Sequence, residues 1–369
     1  MKKITLFRIA ILLLTTIVYA QDYEIFVSSR GTNSVKQYDA QGNYLGDFVP
    51  PGSGGLTSPQ DMIFLDENTL IVSGLQNSSI KEYNATNGDY LGNFSSNYSL
   101  SQPTRMTIGP DDLIYVLQWS NVNNKVVRFD QDGNFVDEFT SVGIPQSIGL
   151  DWDDNGNLYV SSYGQGTNGF VRKFDTLGND LGIFIDSVIL QGPTNIWFDD
   201  NGDLLVMDWS LGIVRRFDSN GNYIDDFITG MVNPEGIAFI SNGDMLLGDW
   251  GTDTVEAFDE NGKYLGTFTS GNNLSDPNAV ILRDITLSVP DHKKDVVFVT
   301  PSIGVRFNIN IAVSSEFDQL SVYNSQGQRV DVIEPNTTIW YASSYAEGVY
   351  FIIAEDQGKK SSQRIIVKK

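Results

Sequence analysis

Hydrophobic and polar positions alternate over short runs along most of the chain, and a turn signal separates each run from the next. Residues 195–227 give a representative stretch, NIWF-DDNG-DLLVMDW-SLG-IVRRF-DSNG-NYIDDF. Alternating and β-branched runs of this length indicate β-strands. The Asn-Gly and Asp-Gly breaks supply the positive φ angles that tight hairpins need. The pattern therefore predicts four antiparallel strands in this stretch and no helix.

The same pattern recurs along the chain, and each copy begins at a proline and ends at a phenylalanine. The copies begin at Pro59, Pro103, Pro145, Pro193 and Pro234, and they end at Phe94, Phe139, Phe184, Phe227 and Phe268. The starting prolines are 41 to 48 residues apart, which is the range of propeller blades rather than of helical solenoids. Four antiparallel strands per copy make one blade.

The two ends of the repeat region predict the number of blades. Residues 24–48 form a copy without the proline-led first strand, and PNAVILRD at residues 277–284 supplies such a strand alone. Five complete copies and this divided one predict an all-β fold, a six-bladed β-propeller over residues 21–289. Its first blade is closed by strands from both ends of the repeat region, so that neither end leaves an incomplete blade with an unpaired inner strand.

The repeat resembles a known family. Its order of strand, Asp, short loop, β-branched residue, Phe-Asp, x-x-Gly, aromatic residue and Phe, followed by Pro-x-Gly, resembles the NHL repeat. The wider superfamily of six-bladed propellers also contains gluconolactonases and paraoxonases. The resemblance implies the architecture of the chain and leaves its chemistry open, because this fold supports many functions.

The first 20 residues have the pattern of an export signal. Residues 1–20 combine Lys2, Lys3 and Arg8 with an apolar run that ends at Ala20, which predicts a secretory signal peptide. No other apolar run approaches the ~20 residues that span a bilayer, so we expect no membrane span. The sequence contains no cysteine, which excludes disulfides and thiolate chemistry.

Residues 290–369 are predicted to form a linker and a small β-sandwich. Their segments VYNSQGQRV (322–330), EGVYFI (347–352) and the final Lys368-Lys369 resemble the C-terminal sorting domain of type IX secretion cargo in Bacteroidetes. The chain has TPSIG where that family usually begins with Pro-Asn-Pro. The resemblance implies the type IX machinery as a partner and a secreted or outer-membrane surface location. The alternative is a generic immunoglobulin-like module.

The charge of the chain limits its partners. The net charge is −22, with 12 basic and 37 acidic residues in 21–289 and nine of each in 290–369. Nucleic acids and anionic membranes bind basic surfaces. We therefore expect neither as a partner of the propeller.

The loop after the second strand of each blade is the first candidate site. Trp119, Tyr163, Trp209 and Trp250 occupy this position in four successive blades, with Arg30 and Leu75 in the other two. Because Arg30 and Leu75 fit the same place, the fold itself does not require a large ring there. Four rings at one mouth would suit a sugar or a cationic peptide; the alternative is packing of the core or rim.

Two aspartates accompany these rings. Asp208 and Asp249 directly precede Trp209 and Trp250, and we include both as candidate ligand-binding residues. The competing interpretation is structural, because an Asp at a loop accepts hydrogen bonds from backbone N–H groups.

The residue after each blade-opening proline is the second candidate site, since it should point into the tunnel mouth. These residues are Gln60, Thr104, Gln146, Thr194, Glu235 and Asn278. In gluconolactonase-like relatives this position supplies a Glu, an Asn and an Asp that hold one divalent metal. Glu235 and Asn278 match two of them. Asp61 lies one residue further along and should face away from the tunnel.

Calcium is a possible ligand of this second site, but the sequence does not commit the protein to a metal or cofactor. Two such ligands are few for a hard cation. A second acidic motif, DWDDNGN from Asp151, matches half of a calcium loop but has Ser162 where the loop needs Glu. We interpret it as a hairpin turn.

The sequence therefore predicts a secreted or surface-attached propeller that binds a glycan or a peptide. The alternative is an enzyme, either a metal-dependent lactonase-like hydrolase or a polysaccharide-acting enzyme. No catalytic residue is assigned. The single histidine, His292, lies in the linker, so a Ser-His-Asp or Cys-His arrangement within the propeller is excluded.

Overall fold

The computed structural model describes residues 23–284, 298–310, 319–324, 327–334, 337–356 and 359–369. The chain divides into two compact units between Asp284 and Ile285, whereas the sequence places the end of the propeller at residue 289. The predicted signal peptide, residues 1–20, lies outside the described residues. Within the described ranges, no helix is long and apolar enough to cross a bilayer.

The first unit consists of six four-stranded antiparallel sheets, and the predicted six-bladed propeller is confirmed. Blade one contains β1 (Tyr23–Ser29), β2 (Ser34–Tyr38) and β3 (Tyr44–Val49); blade two contains β4 (Pro59–Phe64), β5 (Thr69–Gly74), β6 (Ser79–Asn84) and β7 (Tyr90–Asn93). Blade three contains β8 (Pro103–Ile108), β9 (Ile114–Gln118), β10 (Val127–Phe129) and β11 (Phe135–Glu138); blade four contains β12 (Ser147–Trp152), β13 (Leu158–Ser162), β14 (Phe170–Phe174) and β15 (Asp180–Ile185). Blade five contains β16 (Pro193–Phe198), β17 (Leu204–Asp208), β18 (Ile213–Phe217) and β19 (Tyr223–Ile228); blade six contains β20 (Pro234–Phe239), β21 (Met245–Asp249), β22 (Thr254–Phe258) and β23 (Tyr264–Ser270). Short 3-10 turns occur at Arg30–Thr32, Ser53–Gly55 and Gly164–Gly166.

The ring closes between the two ends of the repeat region. Strand β24 (Pro277–Asp284) pairs antiparallel with β1, so that Tyr23 lies opposite Asp284 and Val27 lies opposite Val280. The innermost strand of blade one therefore comes from the end of the repeat region and its other three strands from the beginning. This pairing gives the ring closure that the divided repeat predicts.

The hydrophobic core lies between neighbouring blades. In β1, Phe26 packs against Leu70 and Val72 of blade two, while Ile25 and Val27 pack in a cluster with residues of blade six. Successive side chains of a strand point to opposite faces of its sheet. Because each blade is covered on both faces, its second strand is buried at nearly every position, as in LLVMD of β17.

The Phe-Asp-x-x-Gly element of the repeat joins adjacent blades. Gly133 has φ +79°, and a Cβ added there would lie 2.0 Å from the carbonyl oxygen of Phe94 in the preceding blade. Five other turns repeat this approach, at Gly42, Gly88, Gly178, Gly221 and Gly262, although Tyr-Asp precedes Gly42 and Tyr-Asn precedes Gly88. Glycine is required because the turn needs a positive φ and because the main chain of the preceding blade leaves no room for a side chain.

The second unit contains two sheets that enclose one core. One sheet is formed by β25 (Val299–Thr300), β27 (Arg306–Ile309) and β30 (Ile339–Tyr341); the other by β26 (Ile303–Gly304), β32 (Lys359–Val367), β31 (Gly348–Asp356), β28 (Gln319–Asn324) and β29 (Arg329–Ile333). Phe307 and Trp340 from the first sheet pack in one cluster with Val322, Ile352 and Ile365 from the second. Strand β30, which carries Trp340, lies outside the segments that the sequence analysis quotes.

Candidate functional site

Six residues from six blades occupy equivalent positions at one end of the tunnel. The backbone N–H groups of Trp119, Tyr163, Trp209 and Trp250 each donate to a carbonyl near the start of the first strand of the same blade, at 2.9–3.0 Å. Leu75 and Arg30 make the same bond at 3.0 and 3.2 Å. The equivalence of the six positions therefore follows from the shared hydrogen bond.

These six residues surround a cavity of about 220 Å³. Its other lining residues are Gln60, Ile148, Thr194 and Glu235, from the first strands of four blades. We call this space the aromatic cavity. It combines residues from both candidate sites, since the loop residues form its wall and the first-strand residues lie at the inner edge of their sheets.

The rings form a continuous arc around the cavity. The ring centroids of Trp119 and Tyr163 are 5.2 Å apart, those of Tyr163 and Trp209 are 6.0 Å apart, and those of Trp209 and Trp250 are 6.0 Å apart. The Arg30 guanidinium lies over the Trp250 ring, 4.7 Å from its centroid. All four rings are half-buried, so each keeps part of its surface available at the mouth.

Asp208 and Asp249 hold the loops and do not line the aromatic cavity. The Asp208 carboxylate, which is fully buried, accepts the N–H groups of Gln191 at 2.7 Å and Gly192 at 3.1 Å. It also accepts the N–H groups of Ser210 and Leu211, both at 3.2 Å. Asp249 repeats the arrangement with Val232, Asn233 and Gly251 at 2.8–3.0 Å. The geometry of both aspartates therefore agrees with the structural interpretation, in which an Asp accepts hydrogen bonds from the backbone N–H groups of its loop.

Glu235 is the one acidic residue that lines the aromatic cavity. Only 2% of its surface is exposed, and its Oε1 has no hydrogen-bond partner among the described residues. Burial raises its pKa to about 7, although Arg105 and Arg30 act in the opposite direction. Desolvation disfavours the charged carboxylate, so Glu235 titrates near neutral pH.

Asn278 lies next to Glu235 and is fully buried. Its Nδ2 donates to Gln60 Oε1 at 2.6 Å, and its side chain lowers the pKa of Glu235. Its Oδ1 has no hydrogen-bond partner in the described part of the chain. Of the two second-site candidates, Glu235 thus lines the cavity and Asn278 supports it from outside the lining.

Arg105 is a buried charge that the sequence analysis does not identify. Its Nη1 lies 3.2 Å from Asp61 Oδ1, and its Nη2 donates to the Glu235 carbonyl at 3.3 Å. The other Asp61 oxygen accepts the Met106 N–H at 2.7 Å. The sequence does show an arginine two residues after a blade-opening proline. A bulge at the start of the strand, however, makes it hard to infer towards which face the Arg105 side chain points.

The predicted position of Gln146 is wrong. In blade four, Ser147 rather than Pro145 pairs with the end of the second strand, opposite Ser162. Pro59, Pro103, Pro193 and Pro234 take that place in other blades. Ile148 therefore replaces Gln146 in the lining of the aromatic cavity. Aligning the repeats on proline shifts this blade by two residues.

The residues present do not fit the metal site that the gluconolactonase resemblance implies. Asp61, the nearest substitute for the third ligand, is paired with Arg105, so a cation of the protein already occupies that carboxylate. In the described ranges, no group of three His, Cys, Asp or Glu residues is arranged to hold a metal. At the calcium-like motif, Asp153 accepts the N–H groups of Asn155 and Asn157 within its own turn.

Comparison with known proteins gives a family match for part of the second unit and similarities of fold for the propeller. Residues 302–368 match the family described as secretion system C-terminal sorting domain. The propeller is similar in fold to a chain of a nidogen/laminin complex (14% identity, TM-score 0.58, covering 70% of this chain and 98% of that chain). It is also similar to a protein of unknown function from Bacteroides caccae (15%, 0.55, 71% and 98%) and to a streptogramin B lyase (13%, 0.52, 71% and 87%). Comparison with curated protein sequences gives no match.

These findings define the class of protein. The fold similarities confirm the propeller resemblance, and at such low identity they carry no function with them. The match of residues 302–368 confirms the sorting domain and with it the secreted or surface location. The chain is a β-propeller that carries a secretion sorting domain at its C-terminal end.

Deleting residues 295–369 is expected to retain the propeller in the periplasm, because the deletion removes the whole matched sorting domain. The measurement is an immunoblot of periplasmic, surface and medium fractions from a host with a type IX system. As a control, residues 295–369 fused behind a signal peptide and a reporter protein should export the reporter. Normal secretion of the truncated chain would contradict the prediction.

Proposed function

We propose that the protein is a secreted or surface-attached binding propeller that holds part of a glycan or peptide in the aromatic cavity. The observation that carries this proposal is the arc of four half-buried rings around one cavity. Concave sites with mostly aromatic walls and a few polar groups are typical of ligand binding.

Two unpartnered polar atoms support a ligand at this place. Trp250 Nε1 and Glu235 Oε1 are both buried and have no hydrogen-bond partner among the described residues, and both side chains line the cavity. Buried polar groups in native structures are nearly always hydrogen-bonded. A bound ligand would supply an acceptor for the indole N–H and a partner for the carboxyl.

The enzymatic alternative has less support. The carboxylates of Asp208 and Asp249 are occupied by backbone N–H groups, and that of Asp61 is occupied by Arg105. A metal-dependent hydrolase would lack its third ligand. A polysaccharide-acting enzyme of the usual kind needs two carboxyl groups, and Glu235 is the one that the cavity offers.

Replacing both Trp209 and Trp250 with alanine is expected to weaken ligand binding by about 30-fold or more, since truncating an aromatic hot spot typically costs ~2 kcal/mol. Ligands are first identified by titrating the intrinsic fluorescence of the wild-type protein with arrays of oligosaccharides and peptides. Calorimetry then compares the variant with the wild type.

The matched control is Trp152→Ala. Trp152 is half-buried like the cavity rings, but it packs against Tyr115, with a centroid distance of 5.1 Å, and does not line the cavity. This variant should bind the ligand as the wild type does. Equal affinities of the wild type and the Trp209/Trp250 variant, with both folded by circular dichroism, would refute the proposed site.

A further inference from the structure

We propose that the group bound in the aromatic cavity is an organic cation, an alkylated or lysine-type ammonium, whose charge faces Glu235 while its carbon atoms contact the indole and phenol rings. This inference rests on the proposed function and assigns the chemical class of the ligand. It follows from the charge pairing, the rings and the hydrogen-bonding capacity of the cavity.

The first argument is the balance of charge around Glu235. The two guanidinium groups that act on it are those of Arg105 and Arg30. Arg105 is 3.2 Å from Asp61, and the Arg30 Nη1 is 3.9 Å from Asp276 Oδ2. Each arginine thus has another carboxylate beside it. When ionised, Glu235 is the negative charge of this group that lacks a cation of its own.

The second argument is the nature of the wall. Three indoles and one phenol surround the space, and their faces attract cations through the ring quadrupole. The protein already uses one of these rings in this way, because the Arg30 guanidinium lies over Trp250. Trp119, Tyr163 and Trp209 extend the same wall around the cavity.

The third argument is the hydrogen bonding of the lining, because two of its polar side chains are already paired within the protein. Thr194 Oγ1 donates to the Pro234 carbonyl at 3.0 Å, and Gln60 Oε1 accepts from Asn278 at 2.6 Å. A sugar brings several hydroxyl groups, and each one buried without a partner costs ~1–3 kcal/mol. A choline-like ammonium carries charge, apolar surface and a single hydroxyl group, whose oxygen can accept the Trp250 N–H that has no partner among the described residues, so it fits this lining better than a sugar does.

The titration of Glu235 gives this hypothesis a measurable consequence. The pKa of Glu235 is about 7, raised by burial and by Asp61, and lowered by Arg105, Arg30 and Asn278. A bound cation favours the ionised carboxylate. Cation binding should therefore release a proton below pH 7, and affinity should rise as pH increases through that value. A neutral ligand would not cause this proton release.

The test compares choline with its neutral isostere 3,3-dimethyl-1-butanol on the full-length protein. Calorimetry at pH 5.5 and pH 8, in buffers of different ionisation enthalpy, gives affinity and proton release. We expect choline to bind about 10-fold or more tightly than the isostere at pH 8. Its affinity should fall by up to about 30-fold at pH 5.5, as a pKa near 7 requires.

Variants separate the role of charge from the role of shape. Glu235→Gln should reduce the affinity for choline to that for the isostere. It should leave the affinity for the isostere unchanged. Glu260→Gln, at an exposed position, should change neither. If Glu235→Gln does not fold, the wild-type pH profile and proton release decide the question.

The outcomes distinguish this inference from the proposed function. Choline affinity no stronger than that of the isostere, or no choline binding while an oligosaccharide or neutral peptide of the arrays binds, overturns the cationic ligand and leaves the cavity as a binding site. Absence of binding by every probe and every array member overturns both.

Discussion

Asp208→Ala is expected to destabilise the propeller by about 4 kcal/mol, because the substitution removes a buried carboxylate that accepts hydrogen bonds from four backbone N–H groups. Asp208 is fully buried and bonds Gln191 and Gly192 across the blade as well as Ser210 and Leu211 in its own loop. A buried donor left without an acceptor costs ~1–3 kcal/mol. Losing the two bonds across the blade accounts for most of the expected effect.

Thermal unfolding measures this loss. For a domain of this size, 1 kcal/mol corresponds to ~2–4 °C in Tm, so we expect a decrease of about 10 °C. Asp249→Ala should behave alike, since Asp249 makes the equivalent bonds. Asp200→Ala, at an exposed turn position, should stay within ~0.5 kcal/mol of the wild type. A Tm for Asp208→Ala equal to that of Asp200→Ala would show that water replaces the carboxylate.

Most of the fold can be predicted from the sequence, because the backbone of each blade requires particular residues at particular places in the repeat. Each Phe-Asp-x-x-Gly turn needs a positive φ and contacts the main chain of the preceding blade, as Gly133 does at Phe94. Such a requirement leaves a glycine at this turn in every copy, and Phe-Asp stands before it in four of the six. The missing first strand of blade one and the lone strand at Pro277 then predict both the blade number and the ring closure.

The position of the aromatic rings is also predictable, since the loop after a second strand has one place in every blade. Trp119, Tyr163, Trp209 and Trp250 come together for this reason. Whether the rings bind a ligand is a separate question that the spacing of the repeats does not address.

The first-strand residues that line the cavity are harder to predict. Their positions depend on how each first strand pairs with the second strand of its blade. Bulges interrupt the first strands between Pro59 and Asp61 and between Pro103 and Met106, so alternation does not give the direction of Asp61 or Arg105. In blade four, pairing with Ser162 places Ser147 where other blades have proline. The proline-based alignment therefore assigns Gln146 to a position that Ile148 occupies. The pairing partner of a strand, rather than its own residues, sets this register.

Glu235→Gln is expected to stabilise the propeller at pH 8 and to have little effect at pH 4.5. The pKa of Glu235 rises from an ordinary 4.5 to about 7 on folding, so the folded state binds its proton more tightly than the unfolded state does. Below pH 4.5 both states are protonated and the shift contributes nothing. Between pH 4.5 and 7 the unfolded state ionises first, and the free energy of unfolding falls by ~3 kcal/mol.

Glutamine has nearly the shape of the protonated acid and does not ionise, so the variant avoids this loss. The difference in free energy of unfolding between the variant and the wild type should grow from pH 4.5 to pH 7 and then stay constant. Glu260→Gln, at an exposed position, should show no such growth. Parallel pH curves for Glu235→Gln and the wild type would mean that the pKa of Glu235 is the same in the folded and the unfolded state. Growth of the difference would establish that the protein holds an uncompensated carboxyl in the aromatic cavity at a cost in stability.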